Sequence, residues 1–445
     1  MTEDFKDLPN RISPYILLDE LNQPVPVASG PFRLIGATDG VLHSDLVFRW
    51  VPSTVVEFDG SYEQPQVDLD GPPWSLVSDG EQPFTTPVLI THTTFGFQSS
   101  EVRGITQKPF DIGAGPFDQL RFSLSNFPDY IGAPVQYERN GNRGFMAGRL
   151  ETIAEQGRCQ VDEVPEAAEL VKQAGRDAGF VLSHVGRWVP ASGSMTVQDA
   201  EAVVRMLHFW FGFLRGAWAG PLFPQGLVDG HVVWRQFASW KLSESREVRT
   251  WFPQRKPIDL SSLFTGFVRH WHDPQWQRPL ISAISWFIEA NASRTALESR
   301  IVLAQVALDL LAWVHVVETD RLHSRTDFKR LSAAGRIRVL LHRVGVPAAV
   351  PGHFTHLSSL LQGDAFDGPG VITKVRNSLV HSGEDRRGDS QVVSGMHLVE
   401  CSQLALQYVE LGLLAICGHN GHYARRGWHG WKGDDETLVP WHQAG

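Results

Sequence analysis

TVQDAEAVVRMLHFWFGFLRG, residues 196 to 216, is where the character of this 445-residue chain turns. Thr196 followed three positions later by Asp199 has the form of a capping box, in which each side chain serves a backbone N–H that the first helical turn leaves free. Behind that start the run is apolar at helical spacing, which predicts a helix over about 197–215. Upstream, to about residue 190, β-formers dominate in short alternating runs such as FRLIG, LVFRWVPSTVVEF, PVLITHTTFGF, LRFSLS and FMAGRLETI, separated by Gly, Pro and Asp. That spacing predicts antiparallel strands in a sandwich or barrel. The tracts SYEQPQVDLDGPPWS and DIGAGPFDQ are rich enough in turn residues to read as loops.

Downstream, GAWAGPLFPQGLVDGHVVWRQFASW reads as a small β-hairpin joining the halves. From about residue 280 the helical period takes over. In ALESRIVLAQVALDLLAWVHVVE, Leu297, Ile301, Ala304, Leu308 and Leu311 form one apolar stripe, predicting a helix over about 295–317. DFKRLSAAGRIRVLLHRV, HFTHLSSLLQ, PGVITKVRNSLVH and SQLALQYVELGLLAICGH extend the helical reading. The expected fold is multidomain α+β: a β-rich region of sandwich or barrel type over 1–195, a helix plus hairpin connecting region over 196–280, and an all-α helical bundle with a C-terminal tail over 281–445.

The bulk numbers set limits. A chain of this length with 42% hydrophobic residues exceeds what one core supports. A net charge of -9 argues against a protein that coats nucleic acid indiscriminately, so any such contact must be local. Cys159, Cys401 and Cys417 lie far apart with no CxxC pair, which argues against a disulfide framework and a cysteine-rich zinc site. The N-terminus has acids and a proline where a signal peptide needs a basic start, and the expected location is the cytoplasm, away from membranes.

One helix carries polar residues that packing does not ask for. In KVRNSLVHSG, residues 374–383, Arg376, Asn377 and His381 fall in the last turns of a short helix that Asp367 and Pro369 start and Ser382-Gly383 stop. Asn377 and His381 lie about 40° apart on one face, whereas Arg376 and His381 are about 140° apart, so Arg376 joins them only through its long side chain. A histidine at a helix C-terminus, where the dipole favours the imidazolium, can take and give a proton near neutral pH. A guanidinium beside it matches phosphate oxygens in charge and geometry. That pairing is what RNA transesterification needs: the 2′-OH loses a proton while extra charge on phosphorus is stabilised, and no metal or other cofactor is required.

Arg376-x4-His381, with Asn after the Arg, resembles the R-x4-6-H signature of HEPN domains, all-α folds whose catalytic members are metal-independent endoribonucleases. The flanking FDGPGVITKVRNSLVHSG, ESRIVLAQVALDLLAW, GRIRVLLHRVGVPAAVP and QYVELGLLAICGHNGHYARR are similar in order and spacing to the C-terminal HEPN domains of ApeA-type bacterial anti-phage abortive-infection proteins. The resemblance covers roughly 285–426. It implies a toxin-like antiviral effector that cuts host or phage RNA, tRNA included, after a trigger such as a phage-derived protein. It also implies a homodimer in which two motifs face one cleft. The competing reading is a non-catalytic module that dimerises or binds a protein or nucleotide.

Further residues join the candidate set. Glu298, Gln305 and Asp309 form a polar stripe on the 295–317 helix, from which Glu298 or Asp309 would support the motif; a solvated face is the plainer reading. Between 321 and 343 seven Arg and Lys face one acid, Asp327, so Arg336 and Arg338, with Lys374, are candidate RNA contacts. His270 with His272, and His419, His422, His429 and His442, lack the convergent spacing of a zinc site, and no metal is expected. The tryptophans read as packing, with sugar or base stacking as the minor option.

Overall fold

The computed structural model describes residues 8–37, 40–63, 69, 71–80, 83–139, 142–246, 248–380, 394–428, 430–431 and 433–442. Its first unit is a closed barrel of six strands: β1 (Val25–Ile35), β2 (Leu42–Arg49), β3 (Val55–Tyr62), β4 (Trp74–Ser78), β5 (Phe84–Phe95) and β6 (Ser100–Thr106). They run in the order β1-β2-β3-β6-β5-β4, and β4 returns to β1 with Leu34 opposite Leu76. Sequence alternation becomes inside and outside: in β2, Leu42, Ser44, Leu46 and Phe48 point inward and His43 and Asp45 outward. At Gly104 a Cβ would lie 2.5 Å from the Phe58 ring, so only glycine lets that ring cross β6.

The second unit is an eight-stranded antiparallel sheet. Its strands are β7 (Phe110–Gly113), β8 (Gln119–Ser125), β9 (Ala133–Arg139), β10 (Asn142–Ala154), β11 (Gly157–Glu163), β12 (Leu182–Pro190), β13 (Leu222–Val228) and β14 (His231–Phe237), in the order β7-β14-β13-β8-β12-β11-β10-β9. The hairpin expected to join the halves is β13–β14, and it is built into this sheet, with β13 against β8 and β14 against β7. Barrel and sheet share one core: Phe84 stacks on Phe110 at 5.0 Å, Phe110 on Phe237 at 5.7 Å, and Trp50 on Phe180 at 5.5 Å.

Helix α1 (Ala168–Asp177) connects β11 to β12, and α2 (Val197–Arg215) follows β12. The capping box is formed: Thr196 N–H donates to Asp199 Oδ2 at 2.9 Å and Asp199 N–H to Thr196 Oγ1 at 3.2 Å. Leu207, Trp210 and Phe211 of α2, with Phe264 of α3 (Ser261–His272), share a core with Leu120, Phe122, Val161 and Trp188 of the sheet.

The remaining helices are α4 (Gln277–Asn291), α5 (Leu297–Ala312), α6 (Arg325–Arg330), α7 (Ala333–Arg343), α8 (Thr355–Ser358), α9 (Gly368–Val380) and α10 (Gly395–Ile416). Helix α5 lies against α4 and α10, and α9 packs on α5, α7 and α10. Past Ala312, α5 widens into a π-helical stretch, Trp313–Thr319, so that Asp320 N–H reaches the His315 carbonyl at 2.9 Å. Leu297–Thr319 is long and apolar enough to cross a membrane, but 56% of that window is buried inside the protein. The 295–317 expectation thus covers two helix types.

The C-terminal part is not all-α, which corrects the expected architecture. After Gly418, β15 (His422–Ala424) pairs with β16 (Glu436–Leu438), and the tail is tied back by Ala424 N–H to the Trp251 carbonyl at 2.7 Å. Tyr423 supplies a buried anchor, but three-residue strands are too short to show period-two alternation. The tail is also clamped by charge. Arg426 donates through Nε and Nη2 to both oxygens of Glu410 on α10, each at 2.7 Å, and both side chains are 1% exposed. The guanidinium further reaches Gln403 Oε1 at 3.2 Å and the Arg249 carbonyl at 3.0 Å, while Glu410 accepts from Trp251 N–H at 3.1 Å. Every charged atom is therefore answered, as a desolvated pair requires.

Candidate functional site

The motif helix α9 starts deep and ends shallow. Asp367 accepts from Gly370 N–H at 2.9 Å and so caps the helix as the sequence predicts. A Cβ on Gly368 would lie 2.1 Å from Tyr408 Oη, so the first turn can press on α10 only with glycine there. Gly368 to Ile372 and Val375 are buried, Lys374, Arg376 and Asn377 are half-buried, and Val380 is exposed. The polar residues thus occupy the end of α9 that faces away from the core.

Arg376 Nη1 donates to Asn377 Oδ1 at 3.3 Å. Among the described residues neither Arg376 nor Lys374 is ion-paired with a carboxylate. His381 lies outside the described residues. The described part of the site is therefore a guanidinium, partly accessible and oriented by a neighbouring amide at a helix end, with the Lys374 ammonium two positions earlier on the opposite side of the helix.

The other candidates go elsewhere. Arg338 of α7 donates to both Asp367 oxygens, at 2.6 and 3.0 Å, and stacks over Phe366 at 4.6 Å. That hydrogen bond raises the guanidinium above its ordinary range. Arg336 binds both oxygens of Asp309 on α5, at 3.1 and 2.9 Å. Two residues expected near RNA thus tie α7 to its neighbours, and the carboxylate expected to support the motif is engaged by one of them. Glu298 is exposed in the first turn of α5. Eleven residues of rise, roughly 16 Å, separate it from Asp309, so the two cannot serve a single site. Gln305 between them is 7% exposed, and its Oε1 has no partner among the described residues, so the stripe is not a solvated face throughout.

The histidines read as a possible metal set serve carbonyls. His270 Nε2 meets Ile416 O at 3.1 Å, His419 Nε2 meets His422 O at 3.0 Å, and His442 Nδ1 meets Asn420 O at 2.9 Å; His429 lies outside the described residues. Trp210 and Trp251 are fully buried, whereas Trp431 is 85% exposed. Sequence reasoning missed a cavity at the far end of the sheet, lined by Asp129, Glu163 and His184, because these residues come from three separate stretches of the chain that only the fold brings together.

Residues 113–248 match the family model of the YopA central domain, and residues 273–436 match that of the YopA C-terminal domain. The chain is 22% identical over 418 residues to the SPbeta prophage-derived uncharacterized protein YopA of Bacillus subtilis strain 168, covering 92% of each chain. No solved structure matches. From the large sheet through the terminal hairpin, then, the chain is similar to YopA proteins, and α9 with Arg376 falls inside the segment that resembles their C-terminal domain.

Proposed function

We propose that the chain is a metal-independent endoribonuclease of HEPN type, acting in the bacterial cytoplasm through Arg376, Asn377 and His381 as an anti-phage or toxin effector. One observation carries the reading. Arg376 stands half-buried at the outer end of α9 with an amide as its neighbour, while Arg336 and Arg338 are each occupied by a carboxylate. A guanidinium so placed is available to an anion, and its paired donors suit a phosphodiester.

In this scheme His381 takes the proton of the ribose 2′-OH. The 2′ oxygen forms a bond to phosphorus, the bond from phosphorus to the 5′ oxygen breaks, and a protonated imidazole gives the leaving oxygen its proton. The products are a 2′,3′-cyclic phosphate and a 5′-hydroxyl. Arg376 holds the phosphate and stabilises the extra charge on the phosphorane, and Asn377 Oδ1 fixes the guanidinium. A homodimer joining two α9 ends would supply the second histidine as acid. The prophage origin of the Bacillus relative agrees with a role in conflict between phage and host, where a phage protein would be the trigger.

The test is RNA cleavage in EDTA by the purified chain, with RNA ends sequenced after expression in a bacterium. Arg376→Ala and His381→Ala are each expected to abolish cleavage and toxicity while the fold persists. Cleavage that needs magnesium, or that survives both changes, would overturn the assignment. A second reading, a HEPN-type module that binds a protein or nucleotide without cutting, is favoured by the loss of Arg336 and Arg338 to internal pairs. It predicts no cleavage under any trigger and retention of partner binding in His381→Ala.

A further inference from the structure

The sheet ends in a cavity that the RNA-cleavage reading does not use. It has a volume of about 360 Å³ and lies between β9–β10, the end of β11 and helix α1. That size suits a small molecule and excludes a polymer. Glu163, the last residue of β11, pairs in register with His184 of β12, so both side chains emerge on one face of the sheet. Asp129 faces Glu163 closely enough to hydrogen-bond it. Gly148 makes the room: a Cβ there would lie 2.6 Å from Met146 Cε and 3.6 Å from Glu163 Cβ.

The polar groups are arranged for a guest. Burial, together with the Asp129 charge and hydrogen bond, pushes the Glu163 carboxyl up to about 7, so that it shares its proton with solvent near neutrality. The two carboxyls offer several acceptor positions, and Lys172, held by Glu169 at 2.8 Å, also lines the cavity. His184 is 1% exposed, its ring stacks on Tyr130 at 5.5 Å, and Nδ1 meets Ser183 Oγ at 3.0 Å. Burial depresses it to about 3, so the imidazole is neutral. Its Nε2 is buried with no partner among the described residues. A buried ring nitrogen left unanswered is costly unless a bound group meets it. Tyr137 and Met146 from β9 and β10, and Pro165 and Val171 from the segment around α1, supply the apolar part of the lining.

We propose that this cavity binds a small planar nitrogen compound, whose paired N–H groups are held by Asp129 and Glu163 and whose inner edge meets His184. Two sources share that chemistry: a guanine base, and the guanidinium of an arginine derivative. The site is independent of the motif on α9, so its test stands apart from the RNA assay.

Calorimetric titration of the full chain at pH 7 with guanosine, agmatine and adenosine separates the sources, since adenosine lacks the paired donors. Binding of guanosine alone assigns the base, and binding of agmatine, with or without guanosine, assigns the guanidinium shape; either supports the site. Asp129 is exposed, so Asp129→Asn tests the contact without disturbing the core, and Glu163→Gln tests it from the inner side. Each is expected to weaken binding at least about tenfold, the loss of one charge-assisted hydrogen bond, while Arg376→Ala leaves it unchanged. Binding of neither guanosine nor agmatine, equal binding of adenosine, or affinity unmoved by both carboxyl substitutions would overturn the proposal.

Discussion

At the junction of α10 with the tail, Arg426 is 1% exposed and spends its donors on both oxygens of Glu410, whereas at the end of α9 Arg376 is half-buried and, among the described residues, donates to the Asn377 amide oxygen. The same side chain thus stands in two different settings within one helical region. A desolvated guanidinium with a fully matched carboxylate is part of the fold. One half-buried at a helix end beside an amide is, on the proposed reading, the group that meets an anion.

Four measurements break or sharpen that contrast. The largest effect is expected for Arg426→Ala, which strands Glu410 in the core and should cost about 3–5 kcal/mol in denaturant unfolding. The double change Arg426→Met with Glu410→Leu should recover most of it, and if the single substitution costs less than about 1 kcal/mol the clamp is not structural. Arg376→Ala should invert the pattern, with stability altered by less than about 1 kcal/mol and RNA cleavage reduced about 100-fold or more. Equal damage to fold and activity would remove the contrast. Arg336→Ala breaks a partly exposed pair with Asp309 and should cost about 0–1 kcal/mol, with cleavage unaffected, since its donors are already engaged.

The smallest effect concerns pH. Glu163 is raised in the folded chain, so between its ordinary value of 4.5 and about 7 the folded state holds a proton that the unfolded state has lost. Its contribution is therefore complete below 4.5 and disappears as pH rises through about 7. His184, depressed to about 3, acts in the opposite sense across the acid range, so the clean readout is a difference. Glu163→Gln should flatten the fall in melting temperature between pH 5 and pH 7 relative to the parent chain, and identical slopes would show that the carboxyl is not raised.

What the sequence made legible was local. The Thr196 and Asp199 pair sits three positions apart, so the start of α2 could be read directly, and Asp367 announced α9 in the same way. Alternation in β2 and β8 identified strands, but a buried alternating strand carries no record of its partner. That β8 pairs with β13, about a hundred positions away, is written in neither strand, and so the hairpin read as a connector is part of a sheet. The short β15–β16 ladder fell below the length at which period two shows. The arginines of 321–343 looked like a phosphate rim because their carboxylates, Asp309 and Asp367, come from other helices. Arg376 and Asn377 were readable as a polar pair on a short helix. Asp129, Glu163 and His184 were not, because the register of β11 with β12 joins the last two and Asp129 comes to them from the segment between β8 and β9.

The aromatic seam between barrel and sheet sets how this molecule can be divided. Phe110 and Phe223 belong to the sheet, yet their rings lie against Phe84 and Phe48 of the barrel, with Phe237 stacked behind Phe110. A chain shortened to begin near residue 107 would turn those rings toward solvent and invite self-association. Packed in this way, the barrel cannot swing on a tether against the sheet.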